Sequence, residues 1–297
     1  NTGKLYSAPC GYGRGYSFVM VVDPMTNVSN PNAIAISTSN GGVFSSFSAC
    51  LWTSAVNAPD SGKLYFCPSR ADSMLVIDPT HNTSTQIILS GLEGNTMWSK
   101  WSGVVYSPVT KKLYFGPLSL PQLLVVDPAT NVSDTTTFAS IGIYGQLDYT
   151  DIVYLPTTRM LYLVSSQLSI SVTVDPQTNL TNATTIAGIA GINGRERDEE
   201  GWKWGVYNPD IGSLYLSPKN TSTTLLDIVN PSTHKSETFV HGGRGEIGMG
   251  GVFAPNSHKI YFAPTTTTFV TVISTIVDPC TVIQCASDCV GECGWEQ

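Results

Sequence analysis

Residues Lys111 to Ser133 read KKLYFGPLSLPQLLVVDPATNVS, and this stretch decides the fold of the chain. Residues 113–115 and 123–126 are short apolar runs rich in aromatic and β-branched side chains, which predicts two strands rather than helices. An Asp-Pro pair then begins a turn that ends near Asn131. Asp accepts backbone N–H groups, Pro presets φ and Asn tolerates the left-handed region, so these residue types are typical of a tight turn.

The same unit recurs six times along the chain. Its marker is a tyrosine preceded by Leu or Ile, at spacings of 46 to 59 residues: Tyr6, Tyr65, Tyr114, Tyr162, Tyr215 and Tyr261. A turn residue follows each tyrosine: Asp23, Asp78, Asp127, Asp175, Asn230 and Asp278. Segments such as WSGVVYSP (residues 101–108) precede the tyrosines, and a variable Thr/Ile/Ala segment follows each turn.

Four short strands per unit, joined by Pro/Gly/Asn turns and repeated at about 50 residues, predict a β-propeller. Helical periodicity is absent, which disfavours a parallel α/β fold. An open β-solenoid is the alternative, but its coils are usually shorter. The predicted fold class is therefore all-β: a six-bladed β-propeller with four-stranded antiparallel blades.

The motifs also resemble known repeats. The order GVVYSP, KLYFGP, LLVVDPATN is similar to the YVTN/NHL type of propeller repeat. It resembles more closely the KW-G-V…KIY…VLVIDP repeats of largely uncharacterised extracellular-type proteins of algae and other protists. The resemblance runs to about Pro279 and implies a propeller domain over residues 1–279. It implies little about activity, because propellers host lectins, hydrolases, lyases and scaffolds alike.

The two ends of the chain depart from the repeat. The first unit enters directly at its tyrosine strand and lacks a WxGVxxP segment of its own. Residues 280–297 form a Cys-rich tail. This tail is expected either to close the ring or to be the beginning of a further domain. A ring without that first strand would keep an unpaired sheet edge, which is a template for another segment.

Composition excludes two classes of function. Only 15 Lys and Arg residues are scattered through 297 residues, and the formal net charge is −7, so no basic surface for nucleic acid is expected. No apolar run of 18 residues predicts a membrane span. Charged residues make up 12% of the chain, and a surface that neutral suits a protein covered by sugar or by other copies.

Six N-x-S/T sequons predict an extracellular glycoprotein: Asn27, Asn82, Asn131, Asn179, Asn182 and Asn220. The first four occupy the same position, four residues after the Asp of the turn. The alternative is that turns favour Asn and that this chain is rich in Ser and Thr.

Seven cysteines in a chain with sequons favour disulfides over buried thiols. The four C-terminal cysteines are expected to pair among themselves: Cys280, Cys285, Cys289 and Cys293. Cys10 and Cys67 follow equivalent strands of adjacent units and form the other expected pair, with Cys50 left over. A zinc site would lack histidine and a CxxC pair, so neither a metal nor a cofactor is implied.

The segments that lead into the WxGVxxP strands hold the only cluster of polar and aromatic candidates: Glu93, Trp98, Asp148, Glu199, Trp202 and Glu246. Sugar binding by exposed tryptophan with nearby acids is one interpretation. Paired carboxylates for glycoside cleavage are a second. The third is that tryptophans pack between blades, which the recurrence of Trp52, Trp101 and Trp204 favours.

Taken together, these patterns predict a secreted or cell-surface structural and interaction module without enzymatic activity. The expected partners are copies of itself in a filament, or other matrix and surface proteins, with glycans as further ligands. A carbohydrate-binding lectin is the alternative, and a polysaccharide hydrolase or lyase is the third hypothesis.

Overall fold

The structure is a computed structural model. It describes residues 3–9, 18–23, 25–26, 28–36, 51–89, 99–138, 149–165, 170–185, 202–218, 225–240, 250–262 and 271–274. These ranges contain 22 strands and no helix, so the all-β prediction is confirmed. The described part of the chain accordingly contains no helix long and apolar enough to cross a membrane.

The strands form six antiparallel sheets in chain order. The first sheet contains β1 (Leu5–Tyr6), β2 (Phe18–Asp23) and β3 (Val28–Ala35). The second contains β4 (Trp52–Ala58), β5 (Lys63–Pro68), β6 (Ser73–Asp78) and β7 (Thr83–Ile88). The third contains β8 (Trp101–Ser107), β9 (Lys112–Pro117), β10 (Leu124–Asp127) and β11 (Val132–Asp134). The fourth sheet contains β12 (Tyr149–Leu155), β13 (Met160–Ser165), β14 (Ile170–Val174) and β15 (Thr181–Thr185). The fifth contains β16 (Trp202–Asn208), β17 (Ser213–Pro218), β18 (Leu225–Asn230) and β19 (Lys235–Val240). The sixth contains β20 (Gly251–Ala254), β21 (Lys259–Phe262) and β22 (Thr271–Ser274).

Each sheet is one blade of the predicted propeller, and sequential strands are neighbours within it. The marker tyrosine has the same register throughout: Tyr65 pairs with Val76, and Tyr114 with Val125. In the first five blades its partner lies two residues before the turn residue. The first five tyrosines therefore hold equivalent positions, and Tyr261 matches them on the other side, where it pairs with Val252 of β20 as Tyr65 pairs with Val56 of β4.

The hairpins between the first two strands of a blade turn through a left-handed residue. Five described hairpins place a residue with φ between 51° and 66° there: Gly62, Lys111, Arg159, Gly212 and His258. Glycine adopts this conformation without strain, whereas the other three residues hold it at some cost. His258 lies in the hairpin between β20 and β21.

The hydrophobic core lies between blades rather than inside them. One cluster joins Tyr65 and Met74 of the second blade to Trp101 and Phe115 of the third. Four similar clusters join the first blade to the second, and so on to the sixth. A single sheet could not bury both of its faces, so each blade depends on its neighbours for a core.

The first and sixth blades each have three described strands, in the orders β1-β2-β3 and β20-β21-β22. In the first blade β1 corresponds to the second strand of the others, as the sequence predicts for a unit that begins at its tyrosine strand. Residues 275–297, including Asp278 and the whole Cys-rich tail, lie outside the described residues.

Candidate functional site

The turn between the third and fourth strands has the same geometry in five blades. Oδ1 of Asp127 accepts the N–H groups of Ala129 and Thr130, at 2.8 and 3.4 Å. The corresponding turn residues repeat this pair of bonds: Asp23, Asp78, Asp175 and Asn230. Because one side-chain oxygen satisfies two backbone donors, the repeat retains Asp or Asn here.

The residue four positions later closes this turn in the left-handed conformation. Its φ is 53° at Asn82, 57° at Asn131, 60° at Asn179 and 53° at His234. The turn alone therefore favours Asn, which adopts this region more readily than most residues. His234 holds the same conformation without a sequon.

The sequon asparagines that the structure describes are all exposed: Asn82, Asn131, Asn179 and Asn182. Asn27 and Asn220 lie outside the described residues. An exposed side-chain amide on an outer turn is accessible to modification, but the turn explains three of these asparagines by itself. Glycosylation therefore stays a prediction.

The two markers of the repeat contact each other across blade boundaries. The Tyr65 hydroxyl donates a hydrogen bond to the Pro128 carbonyl in the next blade's turn, at 3.2 Å. Tyr114 reaches Pro176 of the following blade in the same way, at 3.5 Å. Both prolines are buried. We call this contact the tyrosine–proline joint; it links the second blade to the third and the third to the fourth.

The first strands of neighbouring blades are also joined by hydroxyl groups. Ser102 of β8 donates its hydroxyl to the Tyr149 carbonyl of β12, at 3.0 Å. One blade further, Thr150 donates to the Trp202 carbonyl of β16, at 2.8 Å. Ser102 and Thr150 hold equivalent positions, and each hydroxyl binds a backbone carbonyl of the next blade.

Asp151 joins three first strands at once. Its carboxylate accepts the N–H of Ile152 in its own strand at 2.9 Å and that of Gly205 in β16 at 3.1 Å. On the other side it lies against Gly103 of β8, where a Cβ would come within 2.7 Å of the Ile152 nitrogen. Burial raises the pKa of Asp151 to about 7, although the two N–H groups oppose the shift.

This geometry assigns Asp151 a structural position. Both carboxylate oxygens are engaged by backbone, and Gly103 leaves no room above one of them. Asp148, the acid that the sequence singles out next to it, lies outside the described residues. A raised pKa in a cleft is a mark of catalytic acids, but here close packing against three strands explains it.

Trp52, Trp101 and Trp202 pack between blades, so Trp202 is not the exposed side chain that the sugar-binding interpretation requires. Trp202 is 3% exposed, and its indole N–H donates to Asp227 at 2.8 Å. Trp52 and Trp101 are buried in the same way, with their N–H groups on the Ser73 and Gln122 carbonyls.

The predicted register of these tryptophans also needs correction. Trp202, and not Trp204, is the equivalent of Trp101, because each pairs with the proline that ends the second strand. The register shifts between Trp202 and Trp204. Because of this shift, Trp204 holds the position that Gly103 holds in β8. An alignment based on the Trp-Gly-Val motif alone would place Trp204 opposite Trp101 and would therefore assign the wrong register to β16.

Lys100, next to Trp101, is a buried cation. Its ammonium donates to the Arg70 carbonyl at 3.2 Å and to Asp72 at 3.1 Å, and its side chain is 0% exposed. The pair links the loop before β6 to the start of β8. A buried lysine needs such partners, and these are supplied by the preceding blade.

A cavity of about 440 Å³ opens between the third and fourth blades. Its wall includes the ring of Tyr114, the side chain of Phe138 and the sequon residue Asn179. The Tyr114 and Phe138 rings meet edge to face, with centroids 6.3 Å apart. β11 ends at Asp134, and Phe138, four residues later, is buried beside the cavity.

Cys67 is a free thiol in this structure and is fully buried. Its Sγ contacts the Ser102 carbonyl at 3.2 Å, and burial raises the pKa of the thiol far above its usual range. These surroundings do not favour a disulfide. Cys10, its predicted partner, lies outside the described residues, and so do Cys50 and the four C-terminal cysteines.

The remaining ligand candidates cannot be placed. Glu93, Trp98, Glu199 and Glu246 lie outside the described residues, in the segments that precede the first strands. Within the described ranges, no three His, Cys, Asp or Glu side chains come together as a metal site.

Six consecutive antiparallel sheets, joined face to face by apolar cores, define a six-bladed β-propeller. No protein-family model matches the sequence, and no curated protein sequence matches it. The comparison with solved structures therefore defines the fold alone.

The similar solved structures include β-propellers with different roles. The β-propeller domain of Myceliophteria thermophila Cps50 (Swd1) is 14% identical with a TM-score of 0.60, over 91% of this chain and 80% of that one. Virginiamycin B lyase from Staphylococcus aureus is 8% identical with a TM-score of 0.61, over 92% and 88%. Kuenenia stuttgartiensis hydrazine synthase is 13% identical with a TM-score of 0.56, over 92% and 95%.

These matches support the propeller repeat that the resemblance implies, and they do not extend to the algal and protist repeat proteins. They include an auxiliary nutrient binding protein from Bacteroides thetaiotaomicron, at 13% identity and a TM-score of 0.55, over 88% of this chain and 63% of that one. At such identities, a neighbour's activity says nothing about this chain.

Proposed function

We propose that this protein is an extracellular, N-glycosylated β-propeller that acts as a structural and interaction module in a larger assembly. The polar groups of its first strands support this. Ser102, Thr150 and Asp151 bind neighbouring strands, and Lys100 binds the preceding blade. Such groups are engaged in holding the blades together rather than in binding a substrate.

The distribution of exposed apolar side chains carries the proposal. Among the described residues, 11 large apolar side chains are exposed, and seven of them belong to the first and sixth blades: Leu5, Phe18, Met20, Met25, Val28, Val252 and Val272. Met25 is 89% exposed. Apolar surface concentrated in one part of a molecule marks a site of interaction. Here it coincides with the first and last blades of the repeat.

That coincidence supports assembly through the ends of the repeat. The Cys-rich tail of the same chain would cover this surface in a closed ring, whereas a segment of a neighbouring copy would join two molecules. Strand donation of the second kind is head-to-tail and extends into filaments. The low content of charged residues, 12%, suits a protein whose surface is covered by copies or by sugar.

The experiment is microscopy and gel filtration of material secreted by eukaryotic cells, with intact mass measured before and after glycosidase treatment. We expect filaments or large oligomers, and a loss of mass that corresponds to several glycans. Met25→Asp should shorten or abolish the assemblies, while Ile211→Asp, on an exposed turn of the fifth blade, serves as the matched control. A monomer of unchanged mass would contradict both parts of the proposal.

The lectin alternative makes a different prediction. It requires a monomer that binds glycans and loses binding on Trp98→Ala. Trp202→Ala is no test of binding, because Trp202 is buried and its replacement removes core packing. Sugar binding by a monomer would overturn the assembly proposal.

A further inference from the structure

The cavity between the third and fourth blades contains an asparagine of the repeat in its wall. Asn179 and Gln177, from the turn that precedes β15, form one side. Val125, Asp134 and Phe138, from the third blade, form the other. Its volume of about 440 Å³ lies within the range of roughly 300–1,000 Å³ for small-ligand sites.

The cavity has a mixed lining in which polar side chains prevail. Val125 and Phe138 are 6% and 4% exposed and supply a small apolar patch. Lys112 and Asp134 are charged residues of the same lining. A few polar groups next to apolar side chains can fix the orientation of a small ligand. A pyranose ring, with apolar C–H faces and hydroxyl groups around its rim, has matching chemistry.

Asp134 is held as an acceptor. Its Oδ1 accepts from the backbone and hydroxyl of Thr136, at 2.7 and 2.8 Å, and from Thr137 N at 3.2 Å. The Thr137 hydroxyl bonds its Oδ2. These hydrogen bonds lower the pKa of Asp134 to about 2, so the group is ionised at neutral pH. Of these described donors only Thr137 reaches Oδ2, which leaves an acceptor position on that oxygen toward the cavity.

Asn179 is accessible as the point of attachment. It is exposed, and its side-chain amide has no hydrogen-bond partner among the described residues. Asn131 holds the same conformation in the preceding blade but is not part of the cavity wall. The chain thus offers two equivalent turns, of which only Asn179 belongs to this cavity.

We infer that the cavity between blades three and four seats the first N-acetylglucosamine of a glycan attached to Asn179, so that this sugar bridges the two blades. The inference rests on the proposed glycosylation and adds that one glycan is part of the folded structure. Val125 and Phe138 contact the apolar face of the ring, while Asp134 and Lys112 bind its polar groups. The glycan at Asn131 extends into solvent instead.

The first test compares the two glycans in the native secreted glycoprotein. Peptide-N-glycosidase F is added without denaturant, and glycopeptide mass spectrometry follows release at Asn131 and Asn179. We expect the glycan at Asn179 to be released about tenfold more slowly than the glycan at Asn131. This ratio corresponds to a free-energy difference of about 1.4 kcal/mol in favour of the seated sugar. Gln177→Trp, which fills the cavity, should bring the two rates together.

The second test measures stability. Thr181→Val and Ser133→Ala each remove a sequon but keep its asparagine and therefore the turn. In glycosylated material we expect Thr181→Val to lower Tm by roughly 2–4 °C and Ser133→Ala to leave it nearly unchanged. The same two variants in protein made without glycosylation report the side-chain effect alone, which is subtracted.

The outcomes separate this inference from the proposed function. Equal release rates at Asn131 and Asn179, with both sites occupied, would overturn the seated sugar and leave glycosylation standing. If Asn131 carries a glycan and Asn179 does not, the inference is overturned, because the sugar proposed for the cavity has no attachment site. Unmodified asparagines at both turns of secreted material would overturn the proposed glycosylation as well.

Discussion

At the scale of single residues, Asp151 links stability to pH. Its pKa is raised from 3.8 to about 7 in the folded protein, because burial disfavours the carboxylate. Between these two pH values the folded state binds more protons than the unfolded state. The free energy of unfolding therefore falls as pH rises from about 4 to about 7 and levels off above that range.

Asp151→Asn should remove this part of the pH dependence. Asn carries no charge and keeps one acceptor oxygen, for the Gly205 N–H, while its NH2 group faces the Ile152 N–H without a hydrogen bond. We therefore expect the free energy of unfolding to fall at pH 4 by about 1–3 kcal/mol and to lose its dependence on pH between about 4 and 7. Urea unfolding from pH 4 to pH 8 measures the effect. Thr150→Val is the control: it loses a hydrogen bond of the same strand and should lower stability at every pH. An unchanged pH slope in Asp151→Asn would contradict the assignment.

At the scale of elements, the Asp turn needs Asn131 for its conformation as well as for its sequon. In protein made without glycosylation, Asn131→Ala should cost about 1–2 kcal/mol, because Ala lacks the short polar side chain that allows Asn to adopt positive φ. Asn131→Gly should cost little, since Gly adopts this region freely. Asn182→Ala, at an exposed strand position, serves as the control. Equal losses for the Ala and Gly variants would argue against this role.

The sequence predicts the elements well where one local rule determines them. KLY and Asp-Pro each follow from strand and turn preferences, and both are found as predicted. The shift between Trp202 and Trp204 was missed because two tryptophans flank a single Lys, and either matches the repeat. The Thr/Ile/Ala segment after the Asp127 turn, residues 135–141, predicts a fourth strand, whereas β11 ends at Asp134. Four hydrogen bonds to Asp134 end β11 there, beside the cavity.

At the scale of the molecule, the tyrosine–proline joint couples consecutive blades. Tyr65→Phe removes the hydroxyl that reaches the Pro128 carbonyl but keeps the buried ring. We expect a loss of about 0.5–1.5 kcal/mol in the free energy of unfolding, which is typical of a single hydrogen bond. Tyr154→Phe is the control, because the Tyr154 hydroxyl has no bond to any other described residue. Equal effects of the two variants would show that the joint contributes nothing specific.

The ring as a whole could be predicted from the period of the repeat, but its contacts could not. Asp151, Gly103 and Gly205 come from three units, and nothing in their local sequence indicates that they meet. The same is true of Asp134 and Asn179, which face one cavity from two blades. Local patterns determine each blade, whereas the position of its neighbours determines the sites between them.

The direction of the tyrosine–proline joint has a consequence for synthesis on the ribosome. Tyr65 precedes Pro128 by 63 residues, and the other described joint spans 62. At about 5–20 residues per second, each hydroxyl waits roughly 3–13 s for its acceptor to be translated. The newest blade of a nascent chain therefore always lacks its partner. Protection from proteolysis should advance one blade behind translation.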